Sequence, residues 1–299
     1  MTFLGLSVPI PTLFADDGAL DTGRNAKFAR TLSEVKVDHL FLLGSLGEFP
    51  SVEDNERPRL LENVIESTVG PADVWVGCGA PSTRRAVAFA EDAEGMGATA
   101  VVAVPPYYLH PGPAAIERYY RAIHAAVSIP LYAYNIPSLV GYALDPALVH
   151  RLGSDGVLAG IKDTAGRLDS VAGFVQGAPP EFGVMPGDDV LVQDAIGRGA
   201  SGAVMGMANL VPRLCVELVR AAHAGETVRA SECQTLVNEL VQVARAGPFP
   251  STDKFLAAEL WGADVGYRAP YDPLATDEIV AVRARLEPLR PKLAPFLRR

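Results

Sequence analysis

Three short stretches carry side chains that could do chemistry: Gly160-Ile161-Lys162-Asp163-Thr164, Tyr134-Asn135-Ile136-Pro137 and Gly44-Ser45-Leu46-Gly47-Glu48. Lys162 follows the apolar run Val157-Leu158-Ala159-Gly160-Ile161, which reads as a strand buried on both faces. A lysine in such surroundings favours its neutral amine, the form that attacks a ketone and condenses to an imine. Judged by position alone, a strand-ending lysine more often extends to solvent or pairs with a neighbour such as Asp163, so its companions decide. Tyr134 closes the run Leu131-Tyr132-Ala133-Tyr134, where its phenol can exchange protons with an intermediate; a tyrosine at the rim of a core is the commoner use. Ser45 and the N–H groups after it offer a hydroxyl and a backbone nest for a carboxylate, though in isolation the segment is only a turn.

Other combinations are weaker. Asp188-Asp189 suggests a metal, yet His39, His110, His124, His150 and His223 are scattered without ligand spacing, and paired aspartates more often cap a helix. No metal and no other cofactor is expected, because a protonated imine is itself an electron sink. The glycine-rich residues 199–206 fit close backbone packing against a substrate; Arg198 keeps a phosphorylated substrate open.

These residues need elements to hold them. Apolar, β-branched runs at 6–10, 39–43, 74–77, 100–104, 131–134, 157–161, 182–185 and 202–205 read as eight strands. Helical patterns lie between them at 22–36, 52–67, 83–96, 114–127, 146–151, 188–197 and 211–222, with start signals at Ser51, Ser82, Asp145 and Asp188. Strand and crossover helix in alternation predict an α/β fold, a (β/α)8 barrel over residues 1–224. An open doubly wound sheet would show Gly-x-Gly-x-x-Gly after an early strand, which is missing. Residues 225–299 read as a helical extension packed on the barrel, with helices at 227–245, 252–261 and 277–293 broken by Pro248, Pro250, Pro270 and Pro273. In such a barrel the strand ends converge on one mouth, which gathers Lys162, Tyr134 and Ser45.

Composition narrows the partners. A formal net charge of −9, with no basic face, argues against nucleic acid. No apolar run is long enough to span a bilayer and Met1-Thr2-Phe3-Leu4-Gly5 lacks the pattern of a secretory leader, so a cytoplasmic protein is expected. Cys78, Cys215 and Cys233, odd in number and widely spaced, read as buried reduced thiols.

Taken in order, Gly44-Ser45-Leu46-Gly47-Glu48, Pro106-Tyr107-Tyr108, Tyr134-Asn135-Ile136-Pro137, Gly160-Ile161-Lys162-Asp163, Gly187-Asp188-Asp189 and the glycine-rich segment ending at Asn209 resemble the N-acetylneuraminate lyase and dihydrodipicolinate synthase superfamily through nearly the whole chain. The resemblance implies that Lys162 forms a Schiff base with pyruvate or a 2-keto acid, that Tyr134 shuttles protons, and that Ser45 with the Leu46 N–H holds the carboxylate. It also implies that Tyr108 serves as a relay reaching a neighbouring subunit's site, hence a homo-oligomer, dimer or tetramer.

Departures from the pattern indicate the branch. Leu139 stands where the synthases resemble one another in an arginine, and Leu46 where they place a second threonine. Val190 stands where sialic acid lyases place a glutamate. Through Gly44-Ser45-Leu46-Gly47-Glu48-Phe49-Pro50, Pro105-Pro106-Tyr107-Tyr108, Lys162-Asp163-Thr164 and Gly266-Tyr267-Arg268-Ala269-Pro270 the chain most resembles the 2-keto-3-deoxygluconate type of aldolase, which implies cleavage of a 2-keto-3-deoxy sugar acid to pyruvate and an aldehyde, with Thr164, Gly187, Asp189 and Gly206 around the sugar chain. Dihydrodipicolinate synthase-like condensation, dehydration of a similar acid, and a non-catalytic keto-acid-binding barrel are the alternatives.

Overall fold

The computed structural model describes residues 4–297; Met1, Thr2 and Phe3, on which the reading of the leader partly rests, lie outside that range. Eight strands run in chain order: β1 (Gly5–Pro9), β2 (His39–Leu42), β3 (Asp73–Gly77), β4 (Ala100–Ala103), β5 (Leu131–Asn135), β6 (Gly160–Asp163), β7 (Gly183–Pro186) and β8 (Gly202–Val204). Neighbours pair parallel in the order β7-β6-β5-β4-β3-β2-β1-β8. Ser201 joins the two ends: its N–H donates to the Val184 carbonyl at 2.8 Å, and its hydroxyl accepts from the Val184 N–H at 3.2 Å. The result is the expected (β/α)8 barrel, with further helices at the C-terminal end.

The helices are α1 (Thr22–Ser33), α2 (Arg57–Ser67), α3 (Thr83–Gly95), α4 (Pro113–His124), α5 (Pro137–Val140), α6 (Pro146–Ser154), α7 (Leu168–Val175), α8 (Val192–Gly197), α9 (Pro212–His223), α10 (Thr227–Ala244), α11 (Ser251–Trp261), α12 (Thr276–Leu286) and α13 (Arg290–Leu297). Ser82 and Asp145 cap α3 and α6 as their side chains predict, and Asp188 caps a 3-10 turn that leads into α8. Ser51 does not start a helix: it ends a 3-10 turn over Phe49–Ser51, and α2 begins at Arg57 with Pro58 in its first turn. The short α5 and the α7 crossover were not among the expected helices.

Strand β6 is also displaced. Val157 and Leu158 donate backward to the Leu152 carbonyl, closing the end of α6, so pairing starts only at Gly160 and carries Lys162 into the strand itself. Their apolar character reflects burial beneath the barrel and not sheet membership.

Two apolar layers follow from strand alternation. One fills the barrel with Phe41, Trp75, Val102, Tyr132, Tyr134, Met185 and Val204, and Trp75 stacks on Tyr132 at 4.4 Å between ring centroids. The other lies between the outward strand residues and the helices. Gly160 makes room for the inner layer, since a Cβ there would lie 2.8 Å from the Tyr132 ring and 2.3 Å from the Gly183 carbonyl. Among the described residues no helix is long and apolar enough to cross a membrane.

Candidate active site

Register brings the central pair together. Tyr134 of β5 lies opposite Lys162 of β6, so both side chains point into the mouth from adjacent strands. Lys162 is only 7% exposed, and its Nζ stands 4.0 Å from the Tyr134 ring centroid and 5.2 Å from that of Phe41. It neither reaches solvent nor pairs with Asp163. The Asp163 side chain, one residue on and therefore facing the other way, accepts from Asn135 Nδ2 at 2.7 Å; Asn135 Oδ1 in turn accepts from the Leu144 N–H at 2.9 Å. This outward network pins the ends of β5 and β6 and with them the spacing of the pair.

Gly187 lets the lysine lie where it does. A Cβ at that position would come within 2.2 Å of Thr164 Oγ1 and 2.7 Å of Lys162 Cε, so the lysine stem and the threonine occupy the volume a side chain would need.

Across the mouth, Ser45 Oγ lies 3.4 Å from the Tyr134 phenol oxygen. The turn that carries Ser45 is set by left-handed residues on both sides, Leu43 at φ 56° and Glu48 at φ 50°. Thr12 Oγ1 donates to the Gly47 carbonyl at 2.6 Å from behind, while the Leu46 N–H donates to no acceptor among the described residues. A hydroxyl, itself 3.4 Å from the phenol, and a free amide thus lie together at the edge of the cavity, a pair of donors of the kind that can receive a carboxylate. For the phenol, burial alone raises the pKa, but the Lys162 charge and the bonds from Ser45 and Lys162 outweigh it, and the net shift is downward. A phenol more ready to release its proton suits acid–base work.

A cavity of about 470 Å³ opens on these groups and takes in Ser45, Leu46, Tyr134, Lys162, Thr164, Gly187, Asp189 and Gly206, all eight of the expected site residues other than Tyr108. Asp189 does more than line it: its carboxylate accepts from the Gly206 N–H at 3.2 Å and the Met207 N–H at 3.0 Å, fixing the loop after β8. Burial pushes its pKa up to about 6 against those two bonds. Tyr108 is not at this cavity. It sits at φ 73° on the surface, 89% exposed.

The C-terminal helices supply residues that the sequence reading did not include. Asp253 in the first turn of α11 and Arg245 at the end of α10 both line the cavity, and Arg245 pairs with Asp188 at 3.6 Å. Burial, and then the neighbouring Asp189, push the Asp253 carboxyl up to about 7. Behind the Ser45 turn, Lys254 is fully buried and meets Glu48 at 2.5 Å, donates to the Gly266 carbonyl at 2.9 Å and lies against the Phe14 and Tyr267 rings. Arg268 clasps Glu56 through two bonds of 2.6 Å and so fastens the same segment to the barrel. Gly266, Tyr267 and Arg268 belong to a segment marked by the resemblance, whereas the polar run Ser251-Thr252-Asp253-Lys254 at a helix start looks in the sequence like an exposed cap.

A (β/α)8 barrel whose mouth holds a buried lysine beside a phenol is the framework of a class I, Schiff-base-forming aldolase or carbon–carbon lyase, and the chain is an enzyme of that class. It belongs to the Dihydrodipicolinate synthetase family, which it matches over residues 2–289. It is 34% identical to the 4-hydroxy-tetrahydrodipicolinate synthase of Thiobacillus denitrificans, over 95% of this chain and 96% of that one. It is likewise 34% identical to the probable 2-dehydro-3-deoxy-D-pentonate aldolase YjhH of Escherichia coli, over 85% and 86%. Among solved structures it is similar to YagE, a prophage protein of the dihydrodipicolinic acid synthase family from Escherichia coli K12 in complex with pyruvate, with a TM-score of 0.92, 29% identity, and coverage of 98% and 100%.

Proposed function

We propose that the enzyme reversibly cleaves a 2-keto-3-deoxy sugar acid to pyruvate and an aldehyde. The supporting observation is the charge of the cavity beyond Lys162. Its described lining holds Asp188, Asp189 and Asp253, and the one cation there besides Lys162 is Arg245, already paired with Asp188. Leu139, on α5 at the cavity, stands where a synthase would hold the second carboxylate of its substrate pair with an arginine. A distal end of this kind suits hydroxyl groups and disfavours another anion.

In this reading the substrate carboxylate sits against Ser45 and the Leu46 N–H, and the Lys162 amine attacks the C2 ketone with loss of water. Tyr134 takes the proton from the C4 hydroxyl as the C3–C4 bond breaks, and the electron pair passes into the iminium to give an enamine. Protonation at C3 and hydrolysis return pyruvate and the free lysine. Thr164, seated in the room that Gly187 leaves, faces the sugar chain together with Gly206. Tyr108, exposed on one chain, serves as a relay only from a neighbouring subunit, so a homodimer or homotetramer accompanies the proposal.

The experiment is a panel of 2-keto-3-deoxy acids with pyruvate release followed by lactate dehydrogenase and NADH. Release from at least one five- or six-carbon acid is expected. Consumption of the acid without pyruvate would make the enzyme a dehydratase. Faster turnover with pyruvate and aspartate semialdehyde than with any sugar aldehyde would return it to the synthases.

A further inference from the structure

We propose that Asp253, contributed by the C-terminal helix α11 and not by a barrel strand, recognises hydroxyl groups on the distal carbons of the substrate and excludes chains that end in an anion. The proposal rests on the aldolase reading above and names the residue that makes the distal end selective.

Three observations carry it. Asp253 lines the cavity that holds Lys162, yet is only 9% exposed, so its carboxyl is withdrawn from bulk water and turned toward the site. No ion pair or hydrogen bond from another residue engages that carboxyl among the described residues, whereas the nearby Asp189 is satisfied by the Gly206 and Met207 amides and Asp188 by the Val190 N–H and Arg245. Its own backbone N–H is the one donor to it, which leaves a nearly buried carboxyl with most of its accepting capacity unused beside the cavity that holds Lys162. Third, the position is rigid. Lys254, the next residue, is locked to Glu48 and Gly266, and Trp261 at the far end of α11 donates to the Asn209 carbonyl at 3.0 Å, so the helix cannot withdraw Asp253 without breaking both anchors.

The charged groups that line the cavity with this carboxyl are Asp188 and Asp189 from the loop after β7, Arg245 from the end of α10, and Lys162 from β6, and of these Asp189 acts on it directly. Three carboxyl groups against one committed arginine leave no site for a terminal carboxylate or phosphate. A hydroxyl can both donate to a carboxylate and accept from a protonated one, so a polyol chain is served whichever member of the group holds a proton.

The test measures binding without turnover, so that it stands apart from the fate of the aldolase reading. Gluconate, hexanoate and glucarate share a six-carbon chain and one carboxylate for the Ser45 seat; they differ in hydroxyls and in a second terminal carboxylate. Calorimetric titration of wild type is expected to rank gluconate above both others. Asp253→Leu should lower the gluconate-to-hexanoate affinity ratio about ten-fold, the size of one lost hydrogen bond to a charged group. Asp253→Asn, which keeps hydrogen bonding and drops the charge, should keep most of that ratio and raise the affinity for glucarate relative to gluconate. Should the leucine variant fail to fold, Asp253→Ala supplies the same ratio. The proposal is overturned if wild type does not prefer gluconate to hexanoate, if truncation leaves the ratio unchanged, or if Asp253→Asn gains nothing for glucarate. Pyruvate release from the acid panel judges the aldolase reading independently of all three.

Discussion

The proposed chemistry rests on a lysine and a phenol held by adjacent strands. Tyr134 has a lowered pKa in spite of its burial, because the charge and bonds around it favour the phenolate. Tyr134→Phe keeps the ring that packs against Phe41 at 6.4 Å between centroids and removes only the acid–base group. Cleavage should slow by roughly 10²- to 10⁴-fold, about 3 to 5 kcal/mol of barrier, while the imine with pyruvate still forms, more slowly. Single-turnover cleavage compared with borohydride trapping measures the two steps apart; wild-type cleavage in a folded variant would remove Tyr134 from the mechanism. That Lys162, Tyr134 and Ser45 share one cavity was legible in the sequence, because each stands at or just past the end of an apolar run and a barrel brings such positions to one face. Asp253 was not legible. An aspartate two residues after Ser251, at the start of a helix, has the pattern of a solvent-exposed first turn, and only the docking of α11 on the mouth turns it inward.

At the scale of elements, α11 and the Ser45 turn are joined by the Lys254–Glu48 pair. Burial pushes Glu48 up and Lys254 down, and each charge opposes the shift of the other. Replacing Lys254 with alanine leaves an almost fully buried carboxylate without its ion-pair partner and with only the Arg268 charge acting on it, and breaking a buried pair in this way typically costs about 3 to 5 kcal/mol. Lys254→Met combined with Glu48→Gln should cost less than Lys254→Ala, since no charge is then stranded. Urea unfolding of both variants checks the order, and a loss below about 1 kcal/mol in the single variant would show that the pair bears little of the stability. Element boundaries show where sequence patterns mislead. The run 157–161 is apolar enough for a strand, but its first two residues close α6; the α2 start predicted at Ser51 moves to Arg57 because Phe49–Ser51 is spent on a 3-10 turn. Periodicity detects burial, and burial does not say which neighbour supplies it.

For the whole molecule, the raised carboxyls near the mouth predict a pH signature. Asp253 has an ordinary value of 3.8 and is pushed up to about 7 in the folded chain, first by burial and then by Asp189. The folded state therefore holds this proton more tightly than the unfolded one. Its stabilising contribution is complete below about 3.8 and is lost as the pH rises to about 7. Asp253→Asn should consequently gain stability relative to wild type across that window. Glu56 and Glu259, whose arginine partners lower their values, act in the opposite sense at lower pH and cancel in the difference. Denaturation midpoints of the two proteins against pH give that difference directly, and parallel curves would mean that Asp253 is not perturbed. The central claim concerns which amine the barrel presents to its substrate. Borohydride reduction of the intact enzyme with pyruvate, followed by mass measurement and peptide mapping, tests it: one reduced pyruvate per chain on Lys162 is the predicted result, and an adduct on Lys254, or none, would contradict it.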